Sequence, residues 1–386
     1  MYFFTALDPN YRIKGSRDPL GFQSLWAAAG HRAVKHLSTV SSNLRDFMIL
    51  CYGIYLFNDR DPKGFMPFFL KFEQMCAYAR LIHNKERSFN GTDFVSKKAA
   101  EGKFYISMRD TILTNQRVYG VYGKYIRPLR DMKITSDERF AKVMENALSK
   151  TDKTALMNLL QPLLEGKETR QTLTADDLTP VAELLRTITE DERALYREYI
   201  LRVPTDESHP QNNLYDVVNQ NREIVELNFQ LHPIIQSLLS QPQTNDDLRQ
   251  ALINIENTDK VLHPLNLIFT HLLSKPRWTI DEILSESILK ELPGKVDHIF
   301  LDDTMMRLND MLGMPAIDLC KEIIKRNGEV SKSRGNKAWI EDEKNTFKIL
   351  YGENGRKISE INNENSYEFP YFLNNYLGLF RQIEMK

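Results

Sequence analysis

Cysteine is scarce in this chain, with three residues (Cys51, Cys76 and Cys320) spread over 386 positions. The number is odd, the spacing is wide, and each thiol lies within an apolar pattern of helical period. These features exclude a disulfide framework and a zinc-binding cysteine cluster. They favour reduced thiols that pack as small hydrophobic side chains, as is typical of cytoplasmic proteins.

Long apolar runs and an excess of one charge are also missing. The longest apolar run, around Met48 to Phe57, is interrupted by Gly53 and is too short to cross a bilayer. Residues Met1 to Asn10 lack a basic segment followed by a long apolar one, so no signal peptide is predicted. Lys and Arg total 51 against 52 Asp and Glu, a net charge of -1. We therefore expect a soluble, cytoplasmic protein without a membrane partner. The balanced charge excludes a globally basic nucleic-acid binder but is compatible with a local basic patch.

The residue patterns of catalytic, metal and nucleotide sites do not occur. His31 and His36 are five positions apart, unlike the four-residue spacing of a zinc-binding helix. The cluster Gly120 to Lys124 differs from a phosphate-binding loop, because Val118 stands where its first glycine would be and Tyr125 replaces the Mg²⁺-binding hydroxyl. There is no Gly-x-Ser-x-Gly nucleophile elbow. We therefore expect a non-enzymatic protein without a cofactor or a metal.

One enzymatic alternative stays open, a metal-dependent nuclease. Paired carboxylates hold a divalent ion beside a lysine in such enzymes. The residues that would take these roles are Asp302, Asp303, Glu341, Glu343 and Lys344. The competing interpretation of Asp342 to Asn345 is a polar hairpin turn, which we favour.

Helical periodicity is abundant. Apolar residues recur three and four positions apart near Phe47, Phe68 and Leu156, whereas strand-like alternation is scarce before the last quarter. The chain is longer than one ordinary domain. Polar breaks at 164–175 and 203–213 indicate that it is divided into several domains. The sequence predicts a mainly α, multi-domain protein with an N-terminal helical domain (1–132), a helical middle domain (133–300) and a C-terminal winged-helix-like α+β module (301–386).

The C-terminal module combines a helix, a basic loop and two short strands. Pro315 opens the helix, and Gly328 is expected to end it in the left-handed conformation. Two strands across a polar turn follow, which is typical of the wing of a winged helix-turn-helix. Cations that would then lie near duplex DNA are Lys325, Arg326, Lys332, Arg334 and Lys337. The alternative is a solvated basic loop on a module that binds protein.

A second stretch interleaves basic and aromatic residues without any acid. Tyrosine rings can stack on bases, and Arg and Lys can neutralise phosphates, so the stretch is a secondary candidate for nucleic-acid binding. Its side chains are Arg117, Tyr119, Tyr122, Lys124, Arg127 and Arg130. The alternative, which we favour, is that Gly120 and Gly123 allow another helix to approach closely while the tyrosines fill a core edge.

Three motifs carry a family resemblance: Gly15 to Trp26, Ile112 to Gln116, and Tyr119 to Gly123. Together they resemble uncharacterised helical bacterial proteins encoded beside multi-gene anti-phage defence operons, over about the first third of the chain. The resemblance implies a genomic context, beside defence genes, but it assigns no chemical role to any residue. The expectation is a non-enzymatic subunit or adaptor that works beside other protein subunits such as an ATPase or a nuclease. A purely structural scaffold is the further alternative.

Overall fold

The computed structural model describes residues 18–58, 60–167, 170–227, 230–286, 289, 294–344, 346–351 and 369–385. The predicted absence of a signal peptide at Met1 to Asn10 therefore lies outside the described residues, as do the first three residues of the motif that begins at Gly15. Within the described residues the chain is mainly helical, as predicted.

The helices are α1 (Gln23–Ala33), α2 (Leu44–Leu56), α3 (Phe65–Ile82), α4 (Thr92–Ala99), α5 (Gln116–Tyr119), α6 (Val121–Met132), α7 (Phe140–Leu148), α8 (Lys153–Leu164), α9 (Thr179–Arg186), α10 (Glu190–Tyr196), α11 (Pro210–Gln220), α12 (Leu231–Ser240), α13 (Asp246–Leu272), α14 (Ile280–Ser285), α15 (Asp303–Met311), α16 (Ala316–Ser333) and α17 (Leu373–Glu384). The strands are β1 (Phe104–Ile106), β2 (Gln171–Leu173), β3 (Arg277–Thr279), β4 (Ile340–Glu343) and β5 (Thr346–Ile349). Among the described residues, no helix is both long and apolar enough to span a membrane.

Two compact units share these elements, and each is assembled from separate stretches of chain. The larger unit comprises Ala33–Phe229, Ser240–Leu248 and Phe372–Lys386, as far as these are described. The smaller unit comprises Met1–Arg32, Gln230–Leu239 and Arg249–Tyr371 within the same limit. The three consecutive domains proposed from the sequence stay a prediction, although the boundaries of these units lie elsewhere.

The core of the larger unit forms around α2 and α3, whose apolar residues have the spacing that the sequence predicted. Phe47, Phe68 and Phe72 are each at most 1% exposed, and the rings of Phe68 and Phe72 lie 5.8 Å apart. Each such burial removes enough apolar surface from water to contribute about 1.5–3 kcal/mol. All three cysteines are free and buried, in agreement with the prediction that they pack as hydrophobic side chains. The larger unit also contains the short antiparallel pair β1–β2, with three residues in each strand, which the sequence did not predict.

The smaller unit contains a three-stranded antiparallel sheet in the order β3–β5–β4. The β4–β5 hairpin confirms the two strands predicted across a polar turn, with Lys344 at a positive φ of 48°. Strand β3 was not predicted, since its three residues are too few to show an alternating pattern. Trp278 of β3 pairs with Phe347 of β5, and both side chains are buried.

Helix α16 corrects the predicted end of the C-terminal helix. The helix begins after Pro315 as expected, but it continues through Gly328 to Ser333. The left-handed residue that ends it is Gly335, with a φ of +70°. Its amide donates to the carbonyl of Lys332, which satisfies one of the last helix carbonyls. Lys332 therefore lies on the helix and not in a loop.

Candidate functional site

Two of the five cations proposed to contact DNA bind another part of the smaller unit. The Nε of Arg326 donates to the Leu20 carbonyl at 2.7 Å, and its guanidinium lies 5.4 Å from the centre of the Phe22 ring. The Nη2 of Arg334 donates to the Asp18 carboxylate at 3.0 Å. Burial lowers the pKa of Arg326. Both arginines therefore anchor the segment that precedes α1.

The remaining three cations of this set, Lys325, Lys332 and Lys337, are exposed. Lys325 lies 3.3 Å from the carboxylate of Glu322. The solvent-facing side of α16 alternates in charge, with the residues Asp318, Lys321, Glu322, Lys325, Glu329 and Lys332. Because the acids offset the lysines, the middle of this helix has little net attraction for phosphates, and the free positive charge lies at its C-terminal end.

Acidic side chains cover strand β4, which is the edge of the sheet. Glu341, Asp342 and Glu343 are all exposed, and Glu343 lies 3.1 Å from Arg277 and 3.7 Å from Lys348. One side of β4 pairs with β5, and its other side has no partner strand among the residues that the structure describes. The hairpin thus offers an acidic edge.

The residues of the nuclease alternative have structural contacts of their own. The carboxylate of Asp302 caps α15 by accepting the amide of Thr304 at 2.8 Å, and Asp303 begins that helix. Lys344 lies in the hairpin turn. Over the described part of the chain, no group of three or more His, Cys, Asp or Glu side chains is placed to hold a metal ion.

In the larger unit, a buried carboxylate lies at the start of α6. Glu73 accepts the amide of Val121 at 2.7 Å through Oε1 and the side-chain amide of Gln116 at 2.9 Å through Oε2. A Cβ added to Gly120 would lie 2.5 Å from the same carboxylate, so glycine is required for this approach. Burial raises the pKa of Glu73 to about 7, against the lowering effect of the two hydrogen bonds.

Next to it, a buried arginine joins two further acids. Arg80 is 1% exposed and donates to Asp46 at 2.5 Å and to Glu86 at 2.6 Å, while Arg45 reaches Glu86 at 2.7 Å. Burial alone would raise the pKa of Glu86, but the hydrogen bonds and charges of the two arginines lower it to about 2. A buried pair of this kind is costly to break, because removing one partner leaves the other charge unpaired.

The basic-aromatic segment divides between core and surface. Tyr125 is buried, with its ring 4.8 Å from that of Phe47, and Tyr122 packs near Phe65 and Phe69. The interpretation that the tyrosines of this segment fill the edge of the core therefore agrees with the positions of these two. It fails for Tyr119, which is 52% exposed.

The glycines and cations of the segment also differ in their surroundings. At Gly123 the nearest atoms to an added Cβ belong to the backbone of Val118 and Arg117, so the close contact is with the adjoining short helix α5 and not with a helix distant in the sequence. Lys124 is half-buried, and burial lowers its pKa. Arg117, Arg127 and Arg130 are exposed, with Arg127 lying 3.7 Å from Asp131.

An open groove of about 740 Å³ lies beside this segment. Residues 87–94 form one side and residues 111–114 the other. A smaller cavity of about 20 Å³, enough for one water molecule, adjoins it above Glu73 and Arg80. Phe89, Asn90 and Ile112 line both spaces, so the groove leads towards the buried charges.

Sequence reasoning missed the charges of this site, namely Asp46, Glu73, Arg80 and Glu86. The signal that could have found them is a charged residue on the apolar side of a helix. Glu73 and Arg80 both lie within the most apolar stretch of α3, seven positions apart and hence on one face. Comparison of the chain with family models, with curated proteins and with solved structures finds no match.

Proposed function

We propose that the protein is a non-enzymatic adaptor subunit of a bacterial multi-protein complex, and that its winged-helix-like module docks to a partner protein. The resemblance to proteins encoded beside anti-phage defence operons supports the context. The module would consist of α13, β3, α14, α15, α16, β4 and β5. It begins earlier than residue 301, because β3 at Arg277–Thr279 completes its sheet.

The connectivity supports the winged-helix comparison. In winged-helix proteins, a strand after the first helix returns to pair with the last strand of the hairpin that follows the third helix. The strand order β3–β5–β4 has this arrangement, with α14 directly after β3 and α16 directly before β4. The hairpin here follows the fourth helix of the module, since α15 is additional to the three-helix pattern. Thr279 and Glu282 form a capping box that begins α14 at the end of β3.

The observation that carries protein docking is the acidic edge strand β4. An edge strand presents unpaired backbone donors and acceptors, and charged side chains on it discourage non-specific pairing with other strands. Glu343 is offset by Arg277 and Lys348, but Glu341 and Asp342 form no ion pair with any described residue. These two exposed acids favour a partner with a basic surface, since complementary potentials speed association and reject wrong partners. The same acids oppose the approach of DNA phosphates to the hairpin.

Affinity purification of the tagged protein from its native host tests this proposal. We expect the wild type to retain a partner in a fixed molar ratio, and the double variant Glu341→Lys/Asp342→Lys to lose it because two attractive charges become repulsive. The matched control is Glu207→Lys/Glu223→Lys, which makes the same charge change at exposed acids of the larger unit. Recovery of the wild type alone, or equal partner recovery with both double variants, would contradict docking through β4.

Duplex DNA is the second candidate partner, on the strength of Lys332 and Lys337 at the C-terminal end of α16. If both contact phosphates, Lys332→Ala/Lys337→Ala should lower the slope of log affinity against log salt by about two units. The control Lys142→Ala/Lys150→Ala removes two exposed lysines from the larger unit. Fluorescence anisotropy with labelled duplex at several salt concentrations measures the slope. Wild-type protein that leaves the duplex unbound at low salt rules out this candidate.

The same duplex, incubated with Mg²⁺ or Mn²⁺, separates the adaptor from the nuclease alternative. Intact DNA is the result expected of an adaptor. Cleavage that disappears in Glu341→Ala would establish the nuclease instead.

A further inference from the structure

We propose that the open groove of the larger unit binds single-stranded nucleic acid, with Arg87 and Arg117 at the phosphates and Tyr119 stacked on a base. The groove belongs to the larger unit, so this site is separate from the C-terminal module and independent of its proposed role.

The groove is open to solvent, with a volume of about 740 Å³, and its lining is mixed polar and aromatic. The rings of Phe89 and Phe94 lie on one side of the groove, and the hydroxyls of Thr111 and Thr114 lie on the other. These hydroxyls can bind phosphate or sugar oxygens, whereas Thr92 already donates to the Phe89 carbonyl at 2.5 Å. Aromatic rings accept bases of any sequence.

Tyr119 lines the small cavity that adjoins this groove. The side-chain amide of Asn90 donates to the Tyr119 carbonyl at 2.9 Å, and Asn90 lines the groove. Tyr119 is 52% exposed, and its neighbour Val118 is 51% exposed. An aromatic ring left half in water beside a groove is placed to stack on an unpaired base, whereas the two other tyrosines of the segment are used in packing.

Two arginines supply positive charge without local neutralisation. Arg87 lines the groove, and Arg117 precedes Tyr119 on α5. Both are exposed, and neither forms an ion pair with any residue that the structure describes. The lining contains one carboxylate, Asp93, which is also exposed. A phosphate chain would therefore pass beside the arginines and avoid Asp93.

The shape favours a single strand over a duplex. In a duplex the bases are stacked on one another and paired, so their faces are not available to Tyr119. A single strand can place one or two nucleotides in a groove of this volume with their faces free to stack on Tyr119 or Phe94. Because stacking is tolerant of sequence, little base preference is expected.

Fluorescence anisotropy of the full chain with labelled (dT)12 and (rU)12, at several salt concentrations, tests the site. Tyr119→Ala should weaken binding by about 5- to 150-fold, and Tyr119→Phe, which keeps the ring, should restore it. Arg87→Ala/Arg117→Ala should reduce the slope of log affinity against log salt by about 1.4, at about 0.7 per phosphate on a single strand. Lys142→Ala/Lys150→Ala serves as the charge-matched control and should leave the slope unchanged.

Asp93→Asn distinguishes an anionic from a cationic ligand. Removing the carboxylate should tighten binding of both oligonucleotides if phosphates lie in the groove. Weaker binding in this variant would overturn the proposal, as would a wild type that binds neither oligonucleotide at low salt. Equal affinities of the wild type, Tyr119→Ala and the double arginine variant would likewise overturn it, because any binding would then occur elsewhere.

Discussion

Glu73 shows at the residue scale how burial changes the chemistry of one side chain. Its pKa rises from an ordinary 4.5 to about 7, because burial penalises the charged form. The folded state therefore holds a proton that the unfolded chain releases between about pH 4.5 and 7. The stabilisation that this proton provides is complete below pH 4.5 and is lost as the pH rises to about 7. The full change is about 3 kcal/mol, at 1.36 kcal/mol per pKa unit.

Glu73→Gln should remove this pH dependence, because an amide does not titrate. Urea unfolding followed by circular dichroism at pH 5 and pH 8 measures the free energy of unfolding at each pH. We expect the wild type to lose about 2.5 kcal/mol more than the variant between the two values, because part of the full change falls below pH 5. Glu86, whose pKa is lowered to about 2, titrates below this window and does not interfere. Parallel curves for the two proteins would show that Glu73 has an ordinary pKa.

At the scale of one element, two glycines of the α16 region should respond oppositely to alanine. Gly328 lies inside the helix, and a Cβ there would meet no atom within 4 Å. Gly328→Ala should therefore raise the free energy of unfolding by about 0.5–1 kcal/mol. Gly335 ends the helix at a φ of +70°, where an L side chain is strained, so Gly335→Ala should lower it by about 1–2 kcal/mol. Urea titration of both variants measures whether the free energy of unfolding rises or falls in each. A stabilised Gly335→Ala would contradict the assigned helix end.

At the scale of the whole molecule, the interleaved units predict that residues 301–386 do not fold alone. This fragment lacks β3, which pairs with β5 and carries the buried Trp278. It also contains α17, which packs in the larger unit, where Tyr376 donates to the Leu201 carbonyl at 3.2 Å. The isolated fragment would thus expose the apolar side of α17 to water. Circular dichroism should show little helix and no cooperative melting. A cooperative transition would support the consecutive domains proposed from the sequence.

Patterns local in sequence determined much of the secondary structure. The spacing of apolar residues three and four positions apart predicted α2, α3 and α8. This was possible because one face of a helix must be buried, and the residues of that face are close together in the sequence. The β4–β5 hairpin could be predicted for the same reason, since its strands and turn lie within ten residues. The core role of the cysteines also followed from local pattern.

Only the tertiary structure decided the remaining features, because each depends on residues far apart in the chain. Strand β3 is too short to be recognised without β5, which lies about seventy positions later. Gly328 stays helical because its neighbour Asn327 bonds the Pro19 carbonyl and the Trp339 amide, which offsets the weak helix propensity of glycine. The sequence predicted that Arg326 contacts DNA, but in the structure its guanidinium donates to the Leu20 carbonyl. The sequence by itself determined that the chain is mainly helical and placed α2, α3, α8 and the start of α16, because their apolar spacing is local. Long-range packing decided where α16 ends, which charges are buried and which cations remain exposed to a partner.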